Sequence, residues 1–364
     1  MATMAPPRPT HVQEPDAAKL EQFMHKIVGD MAAAMSGSLV ITGAKLGLYK
    51  ALAELGPSTS QQLADKLNLD ERYVREWLSA QAASGFVEYD PETALFSLSP
   101  EQRMALANED SPVYVAPAFE VIAAAYIDEP KITGAFQTGQ GVGWHEHHQC
   151  LFHGTEKFFR PGYRANLVAS WIPALEGVFD KLKAGARVAD IGCGHGASTI
   201  IMAEAFPDSQ FVGIDYHDGS VARAREAARE AGDLPNVRFE VASAKEAPGT
   251  DYDLVCCFDC LHDMGDPVGA AKHIREMLKP DGTFMLVEPM AGDSLDENLH
   301  PVGRLYYSAS TMICTPASKS QEVGLALGAQ AGQRRLEEVL HEAGFATVRR
   351  AAETPFNLVI EAKP

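Results

Sequence analysis

The sequence predicts an α/β protein in which a mainly helical N-terminal part precedes a doubly wound parallel sheet. Two observations carry this prediction. From residue 187 onward, short apolar segments typical of strands alternate with helical segments, as a doubly wound sheet requires. Before about residue 105, apolar residues recur mostly at steps of three and four, which indicates helices. The 364 residues are enough for two or three domains.

The N-terminal part begins with a proline-containing arm over residues 1–16. Apolar periodicity predicts a helix over 19–36 and a second, largely apolar helix over 37–49. Thr59 opens a capping box, and Asp70 is a candidate N-cap for a further helix that ends before Gly85. Two short apolar segments around the turn at 90–93 then predict a hairpin. Helices followed by a hairpin indicate a winged helix.

Charge argues against nucleic acid as the partner of this winged helix. From residue 36 to 92 there are five basic and eight acidic residues, and the whole chain carries a formal charge of −18. Binding to a phosphate backbone needs a basic surface. We therefore expect neither a nucleic-acid substrate nor a nucleic-acid partner.

Residues 106–180 are predicted to form a helical linker that helps to cover a substrate. Its centre is rich in aromatic residues and histidines, with Trp144, Phe152 and Tyr163 as candidates to contact a substrate. Imidazole is a common metal ligand, but the glycine-rich spacing of this segment predicts a turning loop with divergent side chains. We expect no metal here, and pocket or structural roles remain open for the four histidines, His145, His147, His148 and His153.

The C-terminal domain, residues 181–364, is predicted to contain seven strands. The last two flank a Glu-Thr-Pro turn and are expected to pair antiparallel at the sheet edge. The predicted strands are 187–191, 210–214, 237–241, 252–258, 282–288, 347–352 and 357–361.

A glycine turn follows the first of these strands. Gly192, Gly194 and Gly196 alternate with other residues, so the backbone can turn with positive φ and approach a ligand without an intervening Cβ. Asp215 ends the next strand, where a carboxylate accepts the hydroxyls of a ribose. Because the spacing is not that of a dinucleotide site, we expect a nucleoside cofactor without phosphates.

At these residues the chain resembles the class I S-adenosylmethionine-dependent methyltransferases, whose first motif Asp190, Gly192, Gly194 and Gly196 match. It is also similar to winged-helix O-methyltransferases that act on small molecules, and in particular to an actinobacterial and mycobacterial group without assigned substrates. The resemblance implies a Rossmann-like sheet of seven strands, S-adenosyl-L-methionine as cofactor, and a homodimer formed through the winged-helix domain, residues 17–105.

The resemblance also implies a catalytic pair. His262 matches the general base of small-molecule O-methyltransferases, and Glu288 matches the glutamate that orients it. Met264 replaces the tryptophan that follows this motif in the family, so the floor of the acceptor pocket is expected to differ. Alternatively, His262 caps the next helix or contacts the cofactor without removing a proton.

Further candidates lie near the carboxyl ends of the strands, where ligands bind in open α/β sheets. On the cofactor side they are Tyr216, Ser243, Ala244, Phe258 and Asp259. On the acceptor side they are Met290, Tyr306, Tyr307 and Met312.

The predicted function is methyl transfer to a small molecule, with a hydroxyl as the acceptor group. Transfer to N, S or C by positioning alone and a non-catalytic, cofactor-sensing regulator remain alternatives. A nucleic-acid methyltransferase is disfavoured because the segment after the fourth strand lacks the Asn/Asp-Pro-Pro motif. Neither a signal peptide nor an apolar run of about 20 residues is evident. We therefore expect a cytoplasmic protein without a membrane partner.

Overall fold

The computed structural model describes residues 14–364. Most of the predicted arm, residues 1–13, lies outside the described residues. The chain forms two compact units, one ending at Arg103 and one running from Met104 to Pro364.

The first unit contains helices and a hairpin in the order that the sequence predicts. The Thr59 side chain and Gln62 form the expected capping box, and Asp70 caps the following helix by accepting a hydrogen bond from the Tyr73 N–H. Its elements are α1 (Ala17–Leu46), α2 (Leu48–Leu55), α3 (Ser60–Leu67), α4 (Glu71–Ala83), β1 (Glu88–Asp90) and β2 (Leu95–Ser97), and α5 (Pro100–Leu106) follows.

The predicted boundary between helices at residues 36 and 37 is wrong. Helix α1 continues to Leu46 and ends at Gly47, which has φ +70°. Gly43 lies inside the helix, where an added Cβ would come within 2.5 Å of the Trp77 ring. This glycine therefore permits close packing of α1 against α4, and it does not end the helix.

Helix α1 is long and apolar enough to cross a membrane by length and composition, although the sequence had suggested no such stretch. Its apolar window is only 17% buried. Six large apolar side chains of its first two thirds are exposed: Leu20, Phe23, Met24, Val28, Met31 and Met35. Among residues 14–103, nothing covers this apolar face of α1.

The second unit contains a seven-stranded mixed sheet with the order β5-β4-β3-β6-β7-β9-β8. The pairings among the first five strands of this order are parallel, while β9 runs antiparallel to both of its neighbours. The predicted seven strands and the antiparallel edge pair are confirmed. The strands are β3 (Arg187–Ile191), β4 (Gln210–Asp215), β5 (Val237–Val241), β6 (Tyr252–Phe258), β7 (Leu278–Pro289), β8 (Thr347–Glu353) and β9 (Asn357–Lys363).

Helices lie before and between these strands. Two π-helical turns, Leu167–Trp171 and Ser310–Cys314, interrupt the helical segments. Separate apolar clusters pack on the sheet, one around Val255 and Leu286 and the other around Trp171 and Met285. The helices are α6 (Phe119–Thr138), α7 (Cys150–Asn166), α8 (Ile172–Ala174), α9 (Val178–Ala184), α10 (Ala197–Ala205), α11 (Asp218–Glu230), α12 (Pro267–Met277), α13 (Pro301–Ala309), α14 (Thr315–Lys319) and α15 (Gly332–Glu342).

Candidate active site

A cavity of about 450 Å³ lies at the carboxyl ends of β3, β4 and β6. Its size is typical of a small-molecule site, and it lies at the edge of the sheet where ligands of open α/β sheets bind. Eleven of the residues predicted to bind cofactor or acceptor line it: Trp144, Phe152, Tyr163, Gly192, Gly194, Asp215, Tyr216, Ser243, Ala244, Phe258 and Asp259.

The glycine turn between β3 and α10 forms one wall of the cavity. Gly192 and Gly194 have φ of +72° and +53°, a region that favours glycine. A Cβ at Gly192 would lie 2.6 Å from the Cys260 sulfur, so this position has no space for a side chain. Gly196 does not line the cavity; its backbone instead packs closely against the Phe239 ring.

Asp190 lies behind this turn and does not line the cavity. Its carboxylate accepts hydrogen bonds of 2.7 and 2.6 Å from the hydroxyls of Ser198 and Thr199, in the first turn of α10. Burial raises the pKa of Asp190 to about 6, against the effect of these two hydrogen bonds. Asp190 therefore joins the end of β3 to the start of α10 and shapes the turn indirectly.

Asp215 ends β4 and faces the cavity. One carboxylate oxygen accepts a hydrogen bond from the Gly194 N–H and the other from the His217 N–H, both at 2.9 Å. A carboxylate has about four lone-pair sites, so acceptor capacity is left for a ligand's hydroxyls. Burial raises the pKa of Asp215, partly offset by these two backbone hydrogen bonds.

Aromatic side chains, among them Trp144, Phe152 and Tyr216, also line the cavity. Phe152 stacks on His217 with a centroid distance of 5.2 Å, and His145 meets Tyr216 edge to face at 6.4 Å. The segment from Trp144 to Phe152 therefore contacts the loop that follows Asp215.

His262 lies in a short 3₁₀ turn after β6 and is buried. Its Nδ1 is hydrogen-bonded to the Glu288 carboxylate on β7, as the sequence predicted for the pair. Its Nε2 lies 3.2 Å from a carboxylate oxygen of Asp263, without the alignment of a hydrogen bond. Burial alone would lower the pKa of His262, but Glu288 and then Asp263 outweigh it, and the pKa lies well above the ordinary histidine value.

The cavity wall near this pair is formed by Asp263 and Met264, while His262 and Glu288 lie directly behind it. Burial raises the pKa of Asp263, against the opposing charge of His262. The side chain between the histidine and the cavity is therefore a carboxyl group that holds a proton more readily than an exposed aspartate.

The four histidines of the 145–153 loop diverge, as the glycine-rich spacing predicts. His145 lines the cavity, His148 accepts a hydrogen bond from the Cys150 N–H, and His153 lies edge-on to His195. His147 is buried against Asp128. Within residues 14–364, the groups that could jointly hold a metal are His262, Asp263 and Cys314, whose ligand atoms lie within 4.8 Å of one another. We assign them no ion because His262 is already held between Glu288 and Asp263.

Tyr163 and Asp259 line the cavity but also bind each other. The Tyr163 hydroxyl donates to one Asp259 oxygen at 3.1 Å, and the Asn357 amide donates to the other at 2.9 Å. Burial, then the charge of Glu288, raises the pKa of Asp259 well above its ordinary value. Both oxygens of this predicted cofactor residue are therefore already hydrogen-bonded by the protein.

Four predicted acceptor residues do not line the cavity. Tyr306 is buried and its hydroxyl donates to the Phe356 carbonyl, while Met312 packs in the same apolar cluster as Tyr306. Met290 and Tyr307 are partly buried outside the cavity lining. The helical segment from α13 reaches the cavity only further along the chain, at Ala317 and at residues 320–322.

Sequence reasoning missed a partly buried polar pair at the cavity. Glu156 on α7 lies 2.8 Å from His195 Nδ1 in the glycine turn, and both residues line the cavity. A helical stripe of Phe152, Glu156, Phe159 and Tyr163, spaced by four, three and four residues, was the signal that would have placed Glu156 there.

The cavity fits a nucleoside cofactor of the kind that the sequence predicts. The glycine turn presents Gly192 and Gly194 to the cavity, and Asp215 lies at the next strand end. Ser243 and Ala244 line the part of the cavity that follows β5.

Comparison with known proteins agrees with this geometry. Residues 182–344 match a family model described as a methyltransferase domain, and residues 33–108 match one described as an Rv2258c-like winged HTH domain. Among curated proteins, the 27-O-demethylrifamycin SV methyltransferase of Amycolatopsis mediterranei is 37% identical over 131 residues, which is 34% of this chain and 48% of that enzyme. The chain thus matches only about half the length of such relatives.

Solved structures share the fold across both units. Human N-acetylserotonin methyltransferase in complex with SAM superposes with a TM-score of 0.69 at 16% identity, covering 96% of this chain and 98% of the human one. The mitomycin 7-O-methyltransferase superposes with a TM-score of 0.66 at 17% identity, covering 96% and 100%.

The fold and the cavity define a Rossmann-like methyltransferase domain preceded by a winged-helix domain. Residues 182–344 thus resemble the methyltransferase domains of these proteins, and one of the solved structures holds SAM.

Proposed function

We propose that the protein transfers a methyl group from S-adenosylmethionine to a hydroxyl of a small molecule, with His262 as the general base. The observation that carries this proposal is the buried His262–Glu288 pair, which lies behind the wall of a cavity whose other end is the glycine turn and Asp215. A base poised at this place can take up the proton that an attacking hydroxyl must lose.

The cofactor supplies an electrophilic methyl group when bound. The chain's own residues then orient the reactants and handle the proton. Glu288 holds Nδ1 of His262 and thereby leaves Nε2 as the proton-accepting atom. Asp263 lies at 3.2 Å from that atom and lines the cavity, so the proton ends on a histidine–aspartate pair.

The lining of the cavity favours an uncharged aromatic acceptor. Trp144, Phe159 and Phe258 contribute aromatic surface. Lys245 is the one lysine or arginine among the described lining residues, and Asp266 and Glu322 both form ion pairs with it. An anionic acceptor would find no unpaired cation there, whereas a phenol would find apolar surface and a base. Two of the similar proteins, the 27-O-demethylrifamycin SV methyltransferase and the mitomycin 7-O-methyltransferase, support the same class.

Two finer alternatives lead to different expectations. Methyl transfer to N, S or C would need positioning alone, so it would not depend on His262. A non-catalytic DNA-binding regulator is favoured only by the winged HTH match. The charges of α4 argue against a DNA-binding role, because Arg72 pairs with Glu76 and Arg75 pairs with Glu71 on the same helix.

We also propose a homodimer formed through the N-terminal unit, and the cytoplasm as its compartment. The exposed apolar face of α1 supports the first proposal. The second is supported by the six cysteines, none of which forms a disulfide.

The test is methyl transfer from radiolabelled S-adenosylmethionine to a panel of simple phenols. We expect His262→Ala to bind the cofactor like the wild type but to lose about 10²- to 10⁴-fold in turnover, the usual contribution of a general base. His341→Ala is the matched control, because this histidine lies on α15 and bonds the Phe345 carbonyl, away from the cavity. Turnover that is equal in the His262→Ala variant and the wild type would show that positioning alone suffices.

A further inference from the structure

Glu156 lines the cavity from α7 and contacts the glycine turn. Its Oε2 lies 2.8 Å from Nδ1 of His195, the residue between Gly194 and Gly196. The side chains of Glu156 and His195 are only 17% and 9% exposed. Removing a carboxylate from water without full pairing costs free energy, and the proposed proton transfer makes no use of Glu156.

One oxygen of Glu156 keeps acceptor capacity. Oε1 lies 3.9 Å from the Arg160 guanidinium, which is beyond hydrogen-bond distance. Burial raises the pKa of Glu156, but the hydrogen bond with His195 and the charges of His195, Arg160 and Arg223 outweigh it and leave the pKa below its ordinary value. Glu156 is therefore ionised at neutral pH and can accept a hydrogen bond from a cationic group of a ligand.

Five other carboxyl groups of the described chain line the cavity, and each has a partner or a role. Asp266 and Glu322 pair with Lys245, Asp259 is hydrogen-bonded by Tyr163 and Asn357, Asp263 lies beside His262, and Asp215 is the expected acceptor for a ribose. Glu156 is thus the lining carboxylate that remains for a cation of the ligand.

The order of the strands relates Glu156 to the predicted nucleoside. The sheet runs β5, β4, β3, β6 from its edge. Ser243 and Ala244 follow β5, Asp215 ends β4, and the glycine turn with His195 follows β3. A nucleoside whose base lies toward β5 and whose ribose is held at β4 directs the substituent on its ribose over the glycine turn. Glu156 contacts this turn, so it lies where the part of the ligand beyond the ribose continues.

We propose that Glu156 binds the α-ammonium group of the amino-acid part of S-adenosylmethionine. This inference rests on the proposed function. An ammonium group has three N–H donors, and a hydrogen bond between two charged groups is roughly twice as strong as one between neutral groups. Glu156 thereby fixes the end of the methyl donor that lies opposite the base.

Two simpler nucleosides separate the cationic groups of the methyl donor. The sulfonium has no N–H or O–H to donate, so only the ammonium can use Oε1 of Glu156 for a hydrogen bond. S-adenosylhomocysteine keeps the ammonium but lacks the sulfonium charge. Methylthioadenosine lacks the whole amino-acid part and keeps the base and the ribose.

The test is isothermal titration of the full-length wild type and of Glu156→Gln with each of these two nucleosides. Glutamine keeps an oxygen for the His195 ring and removes the charge. We expect S-adenosylhomocysteine to bind Glu156→Gln about 10- to 100-fold more weakly, the usual effect of losing a hydrogen bond to a charged group. Methylthioadenosine should bind both proteins equally. Glu338→Gln is the matched control, because Glu338 pairs with Arg335 on α15, outside the cavity lining.

Equal affinity of the wild type and Glu156→Gln for S-adenosylhomocysteine would overturn the inference. An equal loss of affinity for both nucleosides would do the same, since Glu156 would then support the glycine turn and not the amino-acid part. The titrations need no acceptor. A protein that shows the selective loss yet methylates no phenol would contradict the proposed function and leave the role of Glu156 intact.

Discussion

Burial and neighbouring charges shift the pKa of His262 in opposite directions. Burial favours the neutral ring, but Glu288 and Asp263 favour the cation and raise its pKa well above the ordinary value of 6.5. The folded state therefore binds this proton more tightly than the unfolded chain. Its contribution to stability is complete below the ordinary histidine pKa and is lost as pH rises through the raised pKa.

The raised pKa predicts the pH dependence of methyl transfer. A general base acts only when deprotonated, so the rate should rise with pH through a midpoint above 6.5. Glu288→Gln removes the charge that raises the pKa of His262 most, so the midpoint should move to lower pH. The maximal rate should also fall, because the imidazole ring is less firmly oriented. A pH–rate profile of both proteins measures this. A midpoint that stays in place would show that Glu288 does not set the basicity of His262.

Residues of the site differ in how well the sequence predicted them. Gly192, Gly194 and Asp215 were predictable because a turn and a strand end are local features. The pairing of His147 with Asp128 was not, since it joins residues 19 positions apart whose contact exists only in the folded chain. Tyr306 was misplaced because an aromatic side chain in a helical segment fits a core as well as a pocket.

Among the elements, strands were predicted better than helix boundaries. The strands of the sheet are apolar runs bounded by polar turns, and β3 was predicted with its observed bounds. The boundary predicted between residues 36 and 37 was wrong because Gly37 is buried inside α1 and does not end it. A glycine that permits close approach and one that ends a helix look alike in a sequence.

The junction of β3 and α10 depends on Asp190. Asp190→Ala would leave the buried hydroxyls of Ser198 and Thr199 without their acceptor, at a cost of about 1–3 kcal/mol each. Urea denaturation should therefore show a lower free energy of unfolding. Asp190→Asn keeps an acceptor oxygen and should retain the wild-type value more closely, and at pH 8 it avoids the buried charge that a pKa of about 6 implies.

Asp180→Ala is the control for this comparison, since Asp180 is exposed on α9. If Asp190→Ala and Asp180→Ala unfold at the same urea concentration, the carboxylate does not hold the junction.

At the scale of the whole molecule, the apolar face of α1 predicts self-association. The side chains of Val28, Met31 and Met35 are 59%, 66% and 76% exposed in the single chain. Exposed apolar area of this kind marks an interaction surface. We expect a dimer by light scattering, and a monomer for the double variant Met31→Glu, Met35→Glu.

Gln22→Glu adds a charge to the opposite face of the same helix and should leave the dimer intact. A wild-type monomer that floats with lipid vesicles would contradict this prediction and identify the apolar face of α1 as a membrane contact.

The central claim is that the cavity beside the glycine turn binds S-adenosylmethionine. Isothermal titration of the wild type with S-adenosylmethionine should give one site per chain. Asp215→Ala should weaken binding because the carboxylate that accepts the hydroxyls of the ribose is lost. Asp253→Ala should bind as the wild type does. A folded wild-type protein that binds no S-adenosylmethionine, or an Asp215→Ala variant that binds it equally well, would contradict the account.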